Sequence, residues 1–220
     1  MAARINFDYE LSVLKSRVAE MATTVEKNYT DLFQALHDRN EEEIVRIKKN
    51  DKEYGEMQRA IESQCLFLIT KQQPIVGDLR VVTANLKVVT DIERIGDHVS
   101  DMSELILRNQ MRELSGYSEH LESMVEATKA MVHDAVDAFV NRNMQAAEEV
   151  IAEDDTVDDL FNRVKEDLIV FLQKETKNPD ECVDILMLTK YLEKIGDHAV
   201  NIGEWEIFQE TGNMRDARLL

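Results

Sequence analysis

Leu14, Val18, Met21, Val25, Leu32 and Leu36 recur at spacings of three, four and seven residues, an apolar stripe along one side of an α-helix. Ile44, Ile47, Tyr54, Ile61, Cys65 and Leu68 make a second stripe, and Val82, Val89, Ile92, Val99 and Ile106 a third. The helical period predicts six helices, at 5–38, 41–73, 78–112, 117–142, 144–176 and 180–210. Breaks bearing Gly or Pro separate several of them: "QQPIVGD" at 72–78, "LSGYS" at 114–118 and "KNPD" at 177–180. A polar turn, "HDRNEE", joins the first two. The expected fold is all-α, and the short loops favour antiparallel neighbours.

The pattern is duplicated. "ALHDRNEEEIVRIKKND" (35–51) aligns with "AFVNRNMQAAEEVIAED" (138–154), sharing Ala35/Ala138, Arg39/Arg142, Asn40/Asn143 and Asp51/Asp154. Further on, "DIERIGDHVSD" (91–101) aligns with "YLEKIGDHAVN" (191–201) at an offset of 100, so the second copy is three residues shorter near its Pro-bearing loop. Two copies imply two three-helix bundles related by a pseudo-two-fold axis, one over 1–113 and one over 114–220. "RELSGYSEH" (112–120) is the junction, short enough that the bundles should abut.

On a helical wheel Ile92, Ile95, Gly96 and Val99 face the core, while Glu93, Asp97, Asp101 and Glu104 fall in one bordering arc roughly 80° wide. Glu193, Asp197, Asn201 and Glu204 repeat that arc. Each like-charged i,i+4 neighbour costs on the order of 0.2–0.5 kcal/mol. The penalty is small, so it is the repetition that points to function. Asp51 falls inside the apolar stripe, between Ile47 and Tyr54; Asp154 takes the matching place between Val150 and Val157, with Asp158 one turn on. A carboxylate facing a core needs a cation or strong donors. If the second helix packs on the third, Asp51 approaches Glu93, Asp97 and Asp101, and Asp154 approaches Glu193 and Asp197. The cations that meet them are Lys or Arg side chains, or metal ions. Hard oxygen ligands suit Mg²⁺, Mn²⁺ or Fe.

Gly96 and Gly196 sit mid-helix, where Gly costs about 1 kcal/mol relative to Ala. Close approach of helices at the core is the favoured reason, room for ions beside Asp97 and Asp197 the other. His98 and His198 lie off the acid row and read as surface or partner contacts rather than ligands. Arg80, Lys87 and Arg94, seven apart, form a basic line outside the acidic arc. Asp180, Met187 and Lys194 stand in its place in the second copy. The two halves thus differ in surface where they agree in the acidic motif.

Composition narrows the classes. The chain has 220 residues, a net charge of −18, 32% charged residues, seven Gly and two Pro. That field opposes nucleic acid and anionic lipid, and suits a collector of cations or a partner of basic surfaces. The longest apolar candidate for a membrane span, "CLFLI" at 65–69, is far too short, and "MAARINFDYE" lacks a secretory signal. Cys65 and Cys182 read as buried thiols in a reducing compartment, so a cytoplasmic location is expected. A di-iron oxidase would need Glu-x-x-His pairs, but the residues three before the five histidines are Gln34, Ile95, Tyr117, Ala130 and Ile195. Nucleotide loops and a nucleophile elbow are also missing, so no enzyme is expected.

"ERIGD" (93–97) and "EKIGD" (193–197), with "FDYEL" (7–11), "QQPIVGDLR" (72–80) and "EDDTVDDL" (153–160), resemble the PhoU family, the accessory regulators of bacterial phosphate-specific transport. The resemblance runs from residue 5 to about 208. It implies a non-enzymatic cytosolic protein that represses the phosphate-starvation response by bridging the transporter's ATPase subunit and a membrane sensor histidine kinase. It further implies a homodimer that meets the membrane only through partners. The acidic motifs would bind divalent or trivalent ions (Fe, Zn, Mn or Mg), in multinuclear clusters, through Glu93, Asp97, Asp101, Glu193 and Asp197, with Asp51, Asp154 and Asp158. Asn201 in place of an acid, and Gly55 where the second copy has Asp158, imply two unequal sites. The competing reading is a PhoU-like acidic adaptor of another transporter that holds no metal.

Overall fold

A computed structural model describes residues 2–72, 74–109, 114, 116–174, 179–214 and 217–218. These form α1 (Ala2–Asp38), α2 (Glu41–Lys48), α3 (Asp51–Gln72), α4 (Val76–Asn109), α5 (Leu121–Asn141), α6 (Met144–Lys174) and α7 (Pro179–Thr211). A two-residue antiparallel pair, β1 (Asn213–Met214) with β2 (Ala217–Arg218), follows the last helix. The boundary at 113/114, residues 112, 113 and 115 of the junction, and the expected helix ends at 73, 110–112 and 175–176 lie outside the described residues, as do 177 and 178 of the Pro-bearing loop.

All the residues named in the three sequence stripes are buried. The shared Ala-Arg-Asn residues of the repeat mark where each bundle turns its first corner. Arg39 and Arg142 adopt left-handed conformations (φ 56° and 58°). Asn40 N–H then donates to Ala35 O, and Asn143 N–H to Ala138 O, each at 2.8 Å, closing the helix before them. The same asparagines open the next helix, their side-chain oxygens accepting from Glu43 N–H and Ala146 N–H at 3.2 Å.

One expected helix is two. α2 stops at Lys48, and Lys49 and Asn50 bond back three residues, to Arg46 O and Ile47 O, before the helix resumes with Tyr54 N–H on Asn50 O. In the second repeat α6 runs through the corresponding Ala152 and Glu153 without a break. Asn50 and Asp51 are weaker helix formers whose short side chains compete for the backbone, where the second repeat has Glu153 and Asp154.

The two bundles meet along α4 and α7, the most extensive helix pair. They run antiparallel: Arg80 bonds Glu210 O, Asp91 meets His198, His98 stacks on Tyr191, and Arg108 pairs with Asp184. α1 and α5 add a second seam, where the buried Tyr29 hydroxyl donates to Val125 O at 2.9 Å and lies 2.6 Å from Thr128 Oγ1. Ser118 and His120 fasten the junction onto α6 through Asp167, whose carboxyl these two bonds hold below its usual range.

Candidate metal centres

α4 and α7 carry the acid rows across the middle of the molecule, each flanked by the helix before it. Glu93, Asp97, Glu193 and Asp197 are half-buried at the edge of the core, and Asp101 is exposed. Partial loss of hydration, felt even at the more exposed Asp101, is the first cause raising the carboxyls of Glu93, Asp97 and Asp101 above their ordinary values, and neighbouring acids add to it. Asp97 acts on Glu93 and Asp101, and Glu104 on Asp101. Asp51 acts on Asp97, so α3 brings it within electrostatic reach of the row as expected. In the second bundle Asp154 is raised first by burial, then by Asp158, Asp197, Asp155 and Glu193. Each repeat thus brings one acid of the preceding helix within electrostatic reach of its row, Asp51 of Asp97 and Asp154 of Asp197 and Glu193.

The expectation that Asp51 and Asp154 face the core is overturned. Asp51 is exposed and Asp154 half-buried. Asp51 opens α3 directly after the break at 49–50, and its Oδ1 accepts Lys52 N–H at 2.7 Å instead of turning inward between Ile47 and Tyr54. Asp154, on the unbroken α6, lies at the margin of the stripe. Asp158 is exposed.

Basic residues sit among the acids. Arg94 lies 3.6 Å from Glu93 Oε2 and 3.3 Å from Asp97 Oδ2, so the line of three basic residues does not stay apart from the acidic arc. A guanidinium is long enough to reach both neighbours from one side. Lys190 and Lys194 lie 2.6 and 3.3 Å from the two oxygens of Glu193, and Lys194 also pairs with Asp197. Among the described residues no three His, Cys, Asp or Glu side chains converge closely enough to make a ready cage for an ion. The donor chemistry nonetheless fits a hard cation: carboxylates half-withdrawn from water repel one another, and the buried Glu193 Oε2 already draws a positive charge, the Lys194 ammonium at 3.3 Å.

Gly96 gives close approach, of a side chain. A Cβ there would meet the Tyr54 ring at 2.5 Å, whereas one on Gly196 would meet Val157 at 3.4 Å. His98 and His198 are not outer-surface contacts; they lie in the seam between bundles. His98 stacks on Tyr191 (5.3 Å) and faces His198 (5.7 Å). Burial, then the charges of His198, Arg94 and Lys194, lower the His98 imidazole to about 4. His198 Nδ1 donates to Asp91 Oδ1 at 2.9 Å, and Asn201 Nδ2 to the same oxygen at 3.0 Å. Asp91 is a buried acid that helical periodicity missed, because its partners lie 107 and 110 residues away. Its only sequence signal is an acid where the second copy has Tyr191. Asn201 is thus an amide that donates to Asp91, a bond the carboxylate of the first copy's motif could not make. A cleft of about 470 Å³ lies elsewhere, between α1 and α5, lined by Tyr29, Phe33, His37, Glu126 and Lys129 among others. None of the row's acids reaches it.

The PhoU domain profile matches residues 18–106 and 121–205, once per repeat. The "Phosphate-specific transport system accessory protein PhoU homolog" of Clostridium acetobutylicum is 35% identical over 211 residues, covering 96% of each chain. The accessory protein PhoU of Escherichia coli is 28% identical over 206 residues, 94% of this chain and 86% of that one. Among solved structures, PhoU from Pseudomonas aeruginosa superposes with a TM-score of 0.84 at 27% identity, covering 94% of this chain and all of that one. The phosphate transport system regulatory protein PhoU from Streptococcus pneumoniae gives 0.87 at 26%, covering 96% and all. With one PhoU domain in each of two bundles, and acid motifs in matching places, this chain belongs to the PhoU family.

Proposed function

We propose that this protein is an accessory regulator of phosphate-specific transport that represses the phosphate-starvation response while phosphate is plentiful. It would do so by contacting the transporter's ATPase subunit and a membrane sensor histidine kinase, with metal ions held in its two acidic motifs. The observation that carries the reading is the recurrence, inside a PhoU fold, of one carboxylate row with an acid of the preceding helix within electrostatic reach of it, Asp51 in one repeat and Asp154 in the other. Glu93, Asp97 and Asp101 with Asp51 would hold the first ion or cluster, and Glu193 and Asp197 with Asp154 and Asp158 the second. A bound Fe, Zn, Mn or Mg ion would supply positive charge that relieves repulsion between the rows. The chain's own residues do the rest: the rows fix the donors on rigid helices, and Asp91, His198 and Asn201 tie the two rows together across the bundle seam. No helix among the described residues is long and apolar enough to cross a membrane, which suits contact with membranes through partners.

Deleting the gene tests the regulatory part. Phosphate-scavenging genes should rise in expression at high phosphate; unchanged expression contradicts the reading. A second reading, a metal-free acidic adaptor for another transporter, is favoured by one observation: Arg94, Lys190 and Lys194 already pair with the acids. Partner binding that survives exhaustive chelation yet is lost in high salt would support it.

A further inference from the structure

Leu66 and Phe67 on α3 are 55% and 45% exposed, and Ile169 and Val170 on α6 are 50% and 45% exposed. The two pairs occupy the same place in the repeat, offset by 103 like Asp51 and Asp154. Their neighbours Cys65, Leu68, Val164 and Leu168 are buried, so both pairs project away from the core. At the same ends of the bundles Ile75 and Val76, and Val183 and Met187, are exposed as well. These two groups hold eight of the eleven exposed large hydrophobics among the described residues. Scattered exposed apolar residues need no explanation, but clustered ones mark interaction surfaces. Here the cluster is kept in both copies, while the basic line of α4 is not.

The groups lie far apart. α3 runs antiparallel to α4 with Tyr54 against Gly96, which sets Phe67 level with about residue 83 of α4. Near the other end of α4, Arg108 pairs with Asp184, next to Val183. That spacing along one helix is on the order of 40 Å. Acidic first turns adjoin both groups, Asp78 on α4 and Asp180 and Glu181 on α7. A net charge of −18 disfavours a second copy of the chain at these faces and favours a basic partner.

We propose that the Leu66/Phe67 and Ile169/Val170 faces are twin docking points for one basic, two-fold-symmetric protein. Resting on the transport reading above, that protein is the transporter's ATPase subunit. Two equivalent apolar faces related by the internal two-fold are engaged at once by a partner with the same symmetry. Simultaneous engagement makes two modest contacts into one tight complex.

The test titrates the purified ATPase subunit against the wild-type chain, L66S/F67S, I169S/V170S and the combined fourfold variant. Because the side chains are exposed, thermal melts of all four proteins should coincide. Each double variant is expected to lose about 10- to 100-fold in affinity, and the fourfold variant to show no measurable binding. A fourfold variant that binds like the wild type overturns the docking surface alone. A wild-type chain that does not bind the subunit overturns both this assignment and the transport reading. Sedimentation showing a wild-type dimer that the fourfold variant splits into monomers overturns it in favour of a second copy.

Discussion

Glu206 stands where the first repeat has Ile106, and both are buried. Gln209 donates to its Oε2, while Oε1 is buried without a partner. Burial raises its carboxyl from 4.5 to about 7, Glu210 adding to the rise and Gln209, Arg142 and Lys15 opposing it. The folded chain therefore keeps a proton that the unfolded chain releases near pH 4.5, so stability falls as pH rises from about 4.5 to about 7 and then levels off. Between pH 4.5 and 8 the wild type should lose roughly 3 kcal/mol more than Glu206→Gln. Urea unfolding of both at those pH values checks this; parallel losses contradict it. At the acid rows, Arg94 and Lys194 compete with any ion for the same oxygens. Arg94→Gln with Lys194→Gln should tighten Mn²⁺ binding about tenfold, read by calorimetry, whereas weaker binding would mean the basic residues help to hold the site.

At the scale of elements, the two repeats pack their middle helices differently. Tyr54 fills the space over Gly96, and its hydroxyl accepts a bond from the buried Asn28 at 2.7 Å; Val157 leaves slack over Gly196. Gly96→Ala should cost about 1–2 kcal/mol, because overpacking against the ring outweighs alanine's helix preference of about 1 kcal/mol. Gly196→Ala should be neutral or stabilising by up to about 1 kcal/mol. Denaturant midpoints of the two variants decide it, and equal shifts contradict the account. The stripes and the Gly-bearing motifs were legible because each depends on residues three or four apart, and the repeat because the same motifs return about a hundred residues on. The break at 49–50 was not, since Ile47, Tyr54 and Ile61 keep one buried stripe across it. A wheel records angle alone, so it placed Asp51, at an exposed helix start, with the buried residues on either side.

For the whole molecule, the internal two-fold gives two acidic centres, two apolar faces and one seam between them. The acid rows could be read from i,i+4 spacing, and Asp51 and Asp154 from their place in the repeat. Asp91 could not, nor could the pairing of Asn201 and His198 with it, because these contacts depend on how α4 crosses α7 rather than on either helix alone. The same seam explains why the second motif ends in an amide: an acid at 201 would face Asp91 across the interface. The central claim is that the doubled rows hold ions, with Arg94 and Lys194 as internal counter-charges. Elemental analysis of protein purified without chelator tests this most directly, beside an E93A/D97A/E193A/D197A variant. The wild type should retain bound metal that the variant lacks; equal metal content in the two would contradict the account.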